Sequence, residues 1–282
     1  IEAAKTLKHA VVIGGGLLGL EAANGLKLRG MDVTVVHQGP WLLERQLDEV
    51  AGRMLQRSLE ARGLKFLLQT HTAALIGGED GRVAAVRFKD GLQIPAGLVV
   101  MAAGIRPNVA LAEACGLHCE RGVVVSDTMQ TFDPRIYAVG ECVSHRGIAY
   151  GLVAPLFEQA RVAANHLAGH GIGRYTGSVT STRLKVTGID LFSAGDFMGG
   201  QESEEIVLND PQGGVYKKLV IRDGRIVSIL DHERAIYGDP LMEVGLTGLD
   251  MPAFGDPTDF IAGFGIDTLT ESQRTRSEEH TS

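Results

Sequence analysis

The chain has 282 residues, 44% hydrophobic and 22% charged, the balance of a globular protein with room for one large or two ordinary domains. A formal net charge of -7, with no Lys/Arg-rich run, argues against a nucleic-acid partner. No apolar stretch reaches the ~18 residues of a membrane span, and the three cysteines make no disulfide framework.

In chain order, residues 9–13 form a short apolar run ahead of three glycines, and Leu17 to Arg29 then shows helical spacing. Met31 to Val36 reads as a second buried strand. Leu47 to Arg62 reads as an amphipathic helix with Leu47, Val50, Met54, Leu55 and Leu59 on one stripe, and Leu64 to Leu68 as a third strand. Strand, helix, strand, helix, strand is the pattern of a parallel mononucleotide-binding half. Thr72–Ile76, Val83–Phe88 and Gly91–Ile94 are short strands divided by Gly/Asp turns, which predicts a small antiparallel meander. Leu98 to Ala102 returns to a buried strand and runs into Gly104-Ile105-Arg106-Pro107-Asn108, where the first domain (1–108) is expected to end. The second (109–176) should hold a short helix, strands Gly122–Val125 and Ile136–Val139, and a long helix from Val153 to Leu167. Residues 177–230 read as a β-rich module with hairpins across Asn209–Gly214 and Arg222–Arg225. Residues 231–282 dissolve into Gly/Pro/Asp-rich text, and the final RSEEHTS resembles translated sequencing-adapter read-through.

The stretch HAVVIGGGLLGLEAA places Gly14-x-Gly16-x-x-Gly19 after a strand and at the opening of a helix, the context that lifts this pattern above chance. Gly14 allows the tight turn, Gly16 lets backbone approach a pyrophosphate, and Gly19 permits close helix packing. The amides from Gly15 to Leu18 then lie at a helix N-terminus, which suits phosphate. Glu21 stands on the first turn of that helix, where a carboxylate is also a good dipole partner. The second strand ends Val35-Val36-His37-Gln38, so His37 occupies the place where an NAD site carries Asp or Glu for the ribose 2′-OH. A histidine does not repel a 2′-phosphate, which leaves room for NADPH with Arg45 as a phosphate partner. Alternatively, His37 caps the strand and the site tolerates NAD.

A second signature is TFDPRIYAVGEC at Thr131 to Cys142, a predicted strand ending in Gly140 and followed by the acidic Glu141. With GGGLLGLEAA and AAGIRPN before it, the chain resembles the two-dinucleotide flavoprotein oxidoreductases, which include the pyridine nucleotide–disulfide reductases. Within that class, ERQLD (Glu44 to Asp48), GLVAPLFEQARVAANHLAG (Gly151 to Gly169) and LKVTGIDLFSAGD (Leu184 to Asp196) resemble the flavin region of NAD(P)H-dependent nitrite reductase large subunits. The resemblance covers residues 1–229. It implies an α/β fold with a Rossmann-like NAD(P)-binding domain, part of an FAD-binding domain and a small β-rich module. It further implies that Gly14, Gly15, Gly16, Leu17, Leu18 and Gly19 hold NAD(P)H, with Glu21 near the nicotinamide and Gly104 and Ile105 beside the nicotinamide–flavin stack. Gly140 and Glu141 would bind FAD, and the helix from Val153 would point its N-terminus at the flavin. Most relatives have Asp in place of Glu141.

The family carries an earlier glycine-rich FAD motif a hundred or more residues upstream, whereas thirteen residues precede Gly14 here. The expectation is a fragment that begins inside the FAD domain. Sirohaem and an iron–sulfur cluster would belong only to the full-length protein, since Cys115, Cys119 and Cys142 do not supply a cluster set. The expected function is electron input from NAD(P)H through FAD to a downstream redox centre, in a cytoplasmic assimilatory nitrite reductase, with no membrane partner. The alternatives are a stand-alone NAD(P)H reductase for rubredoxin or ferredoxin, and a non-catalytic NAD(P)-binding fragment. Elsewhere, His166 and His170 read as a solvated helix end, Lys217-Lys218 as an exposed charge pair and Glu202 to Glu205 as a solvated turn. Trp41 is expected to pack under the loop after the second strand.

Overall fold

The computed structural model describes residues 2–186 and 189–233, so the expectations for residues 234–282 lie outside the described residues. The elements are, in chain order, α1 (Glu2–Thr6), β1 (His9–Ile13), α2 (Leu17–Lys27), β2 (Asp32–Val36), α3 (Glu49–Glu60), β3 (Lys65–Leu67) and β4 (Thr72–Gly77). There follow β5 (Val83–Phe88), β6 (Gln93–Pro95), β7 (Leu98–Met101), α4 (Ala110–Ala114), β8 (Val123–Val125), β9 (Val143–His145) and α5 (Val153–Leu167). Five strands close the described chain: β10 (Ser181–Val186), β11 (Ile189–Gly195), β12 (Glu204–Asp210), β13 (Val215–Arg222) and β14 (Arg225–Glu233). They fall into two compact units, one of residues 1–38 with 67–181, the other of 39–66 with the chain from 182.

The first unit is built on the parallel strands β2, β1 and β7. β1 pairs in parallel with β2 (Val11 opposite Thr34) and with β7 (Val11 opposite Val99). Four of its five residues are buried, as expected of a parallel strand with neighbours on both edges and both faces covered. Parallel neighbours need a crossover, and α2 supplies the one from β1 to β2. Leu67 joins at the β3 edge, its carbonyl accepting from the His37 N–H at 2.8 Å. The antiparallel sheet β4-β5-β6 shows the expected in–out alternation in β4. Its Val86 and Phe88 share a core with Val11, Ile13 and Val36, so the meander is seated against the parallel sheet.

In the rest of this unit β8 and β9 pair in parallel, over a core of Val125, Met129, Val143, Tyr150, Ala163 and Tyr175. The strand expected over Ile136–Val139 does not form, and only an isolated bridge between Gln130 and Tyr137 is present. Its place in the ladder is taken by β9, a few residues later. Ile136 and Val139 are exposed, at 38% and 39%, so an apolar run alone did not secure burial.

The second unit holds the antiparallel sheet β10-β11-β14-β13-β12, with both expected hairpins: Asp210 opposite Val215, and Arg222 opposite Arg225. Asp48 caps α3 through its Oδ1, which accepts from the Ala51 N–H at 3.1 Å. Trp41 packs against α3, where a Cβ on Gly52 would come within 2.5 Å of its ring. The indole N–H donates to the Leu47 carbonyl at 3.0 Å.

Two expectations fail in this unit. Lys217-Lys218 is not an exposed pair: the Lys218 side chain is only 6% exposed and lies 3.0 Å from Glu205 and 3.5 Å from Asp48. The alternation of β13 buries Tyr216, Lys218 and Val220 on one face, so the charge goes inside and takes partners there. Glu204 and Glu205 accordingly belong to β12 rather than to a turn. The Tyr216 hydroxyl donates to the other oxygen of the capping carboxylate, Asp48 Oδ2, at 2.6 Å. Burial, then the hydrogen bond to Asp48 and its charge, push its phenol well above the ordinary value.

Candidate dinucleotide and flavin sites

β1 ends in a turn only glycine can make. Gly14 has φ +122°, and a Cβ there would collide with the Ala102 carbonyl beyond β7. The turn is held from both sides, the Gly14 N–H donating to Val36 O and the Ala102 N–H to Ile13 O, each at 2.8 Å. Gly19 packs the buried side of α2 so closely that a Cβ would overlap the Gly14 carbonyl oxygen. Gly16 differs. It precedes α2 with φ −84°, offers no side-chain cap, and a Cβ on it would meet no protein atom within 4 Å. Open space beside an uncapped helix N-terminus fits a pyrophosphate, which backbone amides and the helix dipole favour. Leu17 is half-buried and Leu18 is 70% exposed, both within the first turn of α2.

His37 follows β2 and reaches this turn directly. The Gly15 N–H donates to its Nδ1 at 3.2 Å. Glu21 is exposed and is the fifth residue of α2. It does not lie on the first turn, so its contribution to the helix dipole is smaller than its nearness to Gly19 suggested. Arg45 is exposed and belongs to the second unit.

The second set of residues lies about α5 and the segment just before it. Gly104 (φ +91°) and Gly140 (φ +100°) both take conformations that favour glycine, and a Cβ on either would meet no atom within 4 Å. Ile105 reaches Gly151, just ahead of α5, where a Cβ would lie 3.1 Å from its Cδ1. The Gly140 N–H donates to Gln159 Oε1 at 3.0 Å, and Gln159 is fully buried. The Gly140-Glu141 turn is thus tied to α5 through Gln159, Ile105 packs at Gly151 just ahead of that helix, and the space beside Gly104 and Gly140 is open. Glu141 is exposed beside them. Sequence reasoning missed Gln159, although a signal existed: it shares the buried stripe of α5 with Pro155 and Ala163 at four-residue spacing.

Nearby polar groups are structural. His166 and His170 lie at the end of α5 as expected, His170 exposed and His166 half-buried with its Nδ1 2.6 Å from the Tyr137 hydroxyl. The buried His145 meets Asp127 through Nε2 at 2.9 Å, and Arg146 makes two bonds to the same carboxylate, at 3.1 and 2.7 Å. The Arg146 and His145 hydrogen bonds lower the Asp127 pKa from 3.8 to about 2. A carboxyl depressed in the folded state adds stability above its unfolded pKa, lost as pH falls toward the folded one. Stability should therefore decline between pH 3.8 and about 2, and Asp127→Asn should flatten that decline in an acid titration followed by circular dichroism. Among the described residues no group of three or more His, Cys, Asp or Glu side chains could hold a metal ion. None of their helices is long and apolar enough to cross a membrane.

A family model for the pyridine nucleotide-disulphide oxidoreductases matches residues 1–166, and one for the rubredoxin NAD+ reductase C-terminal domain matches residues 181–230. The nitrite reductase [NAD(P)H] of Bacillus subtilis (strain 168) is 54% identical over 239 residues, covering 85% of this chain and 29% of that protein. The assimilatory nitrate reductase electron transfer subunit of the same organism is 44% identical over 236 residues, 84% of this chain and 30% of that one. The chain thus spans less than a third of the length of these relatives. A crystal structure of the covalent putidaredoxin reductase–putidaredoxin complex matches with a TM-score of 0.71 at 27% identity, covering 82% of this chain and 56% of that one.

Proposed function

This chain belongs to the pyridine nucleotide-disulphide oxidoreductase family, and we propose that it is the electron-input region of an assimilatory nitrite reductase, taking hydride from NAD(P)H onto FAD. One observation supports the reading most strongly: the turn at Gly140 is bonded to α5 through Gln159, and Ile105, in the turn that leaves the NAD(P)-type sheet, packs at Gly151 two residues ahead of the same helix.

In this reading residues 1–108 form the NAD(P)-binding domain, 109–176 the second half of an FAD domain and 177–230 a β-rich module. The amides of the glycine turn hold the pyrophosphate of NAD(P)H, with Glu21 near the nicotinamide, Gly104 and Ile105 lie beside the nicotinamide–flavin stack, and Gly140 and Glu141 hold FAD. FAD, when bound, accepts hydride from the nicotinamide and releases electrons onward singly or in pairs. The protein's part is positional. Gln159 holds the Gly140 turn, Ile105 sets the gap ahead of α5, and the uncapped start of α5 offers amides and a positive dipole end to an electron-rich ring. No side chain need transfer a proton for the hydride step. From FAD the electrons would pass to a downstream redox centre, in the cytoplasm. A second reading, a reductase for a small iron–sulfur carrier such as rubredoxin, is favoured by the match of residues 181–230.

The test is steady-state turnover. With FAD added, the chain should oxidise NAD(P)H against ferricyanide, and without FAD it should not. Rubredoxin reduction at a comparable rate would favour the second reading. No FAD-dependent oxidation with any acceptor would reject both.

A further inference from the structure

Residues 171–180 form no helix or strand, yet one side chain of this stretch is almost wholly buried. Tyr175 is 3% exposed. Its N–H donates to the Asp127 carbonyl at 2.8 Å, and its ring lies 4.8 Å from that of His145 and 6.0 Å from that of Tyr150. It belongs to the core against which Ala138 and Cys142 pack, the residues on either side of the Gly140-Glu141 turn. Its hydroxyl stands 2.8 Å from Ser178 Oγ. The Ser178 hydroxyl donates to Glu158 of α5, and the Ser178 N–H to the Tyr150 hydroxyl at 3.2 Å. The stretch is thus fastened both to α5 and to the core behind the turn.

We infer that Tyr175 is a positioning residue for the flavin-binding turn, acting on Gly140 through Gln159. The inference rests on the reading of that turn as part of the FAD site. Donor and acceptor chemistry fixes the direction at both ends. The Gly140 N–H can only donate, so the Gln159 atom that meets it at 3.0 Å is the carbonyl oxygen Oε1. The amide nitrogen Nε2 therefore points elsewhere. Gln159 is 0% exposed, and Nε2 makes no hydrogen bond of its own. The hydroxyl that acts on Gln159 is that of Tyr175. At the other end an ionised Glu158 only accepts, so Ser178 donates to it and Tyr175 donates to Ser178. The phenol oxygen keeps its lone pairs, enough for Gln159 beside the neighbouring Tyr150 hydroxyl. Burial raises the Tyr175 pKa, which keeps the phenol in its O–H form. A buried amide donor without an acceptor is costly, and the phenol oxygen is the acceptor within reach. It thereby favours the amide orientation that offers Oε1 to Gly140. Without the hydroxyl the amide can turn over, and its N–H groups would then face the Gly140 N–H.

The experiment compares the full chain with Tyr175→Phe, which keeps the ring and removes the hydroxyl. Hydrogen exchange read by NMR needs no flavin. The Gly140 amide should exchange on the order of 10-fold faster in Tyr175→Phe, as the loss of one buried hydrogen bond allows. The Ala163 amide, in the middle of α5, should be unchanged. FAD titration should show an affinity weaker by a similar factor, while calorimetry with NADPH shows binding at the Gly14–Gly19 turn unchanged. In a Gln159→Leu background Tyr175→Phe should move neither readout further, because the link is already cut. A Gly140 amide that stays protected in Tyr175→Phe, or losses that add across the two positions, would overturn the inference. Release of Ala163 together with Gly140 would do the same, since it marks a general loosening rather than a role at the turn. FAD uptake that Tyr175→Phe leaves unchanged would overturn the inference alone. If the unsubstituted chain takes up no FAD, the reading of the turn itself fails and the inference falls with it.

Discussion

Gly19→Ala and Gly16→Ala should each cost the chain at least about 100-fold in NAD(P)H affinity, roughly 2.7 kcal/mol at 1.36 kcal/mol per tenfold, for opposite reasons. At Gly19 the new methyl overlaps the Gly14 carbonyl oxygen, so α2 must move off the sheet. That variant should lose stability together with binding, by about 1–3 kcal/mol for an overpacked site. At Gly16 the methyl meets no protein atom within 4 Å and φ is −84°, a value any residue can take. The protein should keep its fold, losing only the modest advantage of Gly over Ala at an N-cap, up to about 1 kcal/mol. Binding should still fail, because the methyl stands where phosphate must approach the amides. Nucleotide titration beside thermal unfolding separates the two cases. A Gly16→Ala variant that binds normally would show that the open space beside Gly16 holds no phosphate.

The largest stability effect should come from Asp48. Its carboxylate caps α3 at Ala51, accepts the Tyr216 hydroxyl at 2.6 Å and lies 3.5 Å from the buried Lys218 ammonium. Asp48→Ala removes all three contacts. It should destabilise the second unit by about 3 kcal/mol, the lower end for breaking a buried charged pair, since Lys218 keeps Glu205. Trp41 is the chain's single tryptophan, and it packs against α3 in the same unit, so its fluorescence during urea unfolding reports on this unit. A cycle with Tyr216→Phe locates the cause. In the parent that change should cost about 1–3 kcal/mol, whereas after Asp48→Ala it should cost little or even stabilise, because it then removes a buried hydroxyl without an acceptor. Additive losses would show that Asp48 and Tyr216 do not act together.

Much of the architecture was legible because its signals are local. The glycine spacing at 14, 16 and 19 announces a turn whose steric demands the structure displays, and α5 spans the same Val153–Leu167 that helical spacing predicted. β12 and β13, and β13 and β14, pair across the turns that Gly and Asp mark. The misses share a different cause. Lys218 reads as surface because its partner Asp48 lies far back in the chain, and strand alternation alone does not say which face is covered. The run Ile136–Val139 has strand composition, but β8 finds its partner in Val143–His145 instead. At the site itself, residue types located the two turns, while the link through Gln159 needed coordinates. The same holds for His37, whose place in sequence left its role open and whose bond from the Gly15 N–H only the coordinates show.

The most direct test is one spectrum, that of the purified chain mixed with FAD and then given NADPH or NADH without oxygen. The prediction is a bound-flavin band near ~450 nm that bleaches on addition of nucleotide and returns with an oxidant. A flavin that stays free in solution, or a bound band that neither nucleotide bleaches, would contradict a working path between the Gly14–Gly19 turn and the Gly140 turn.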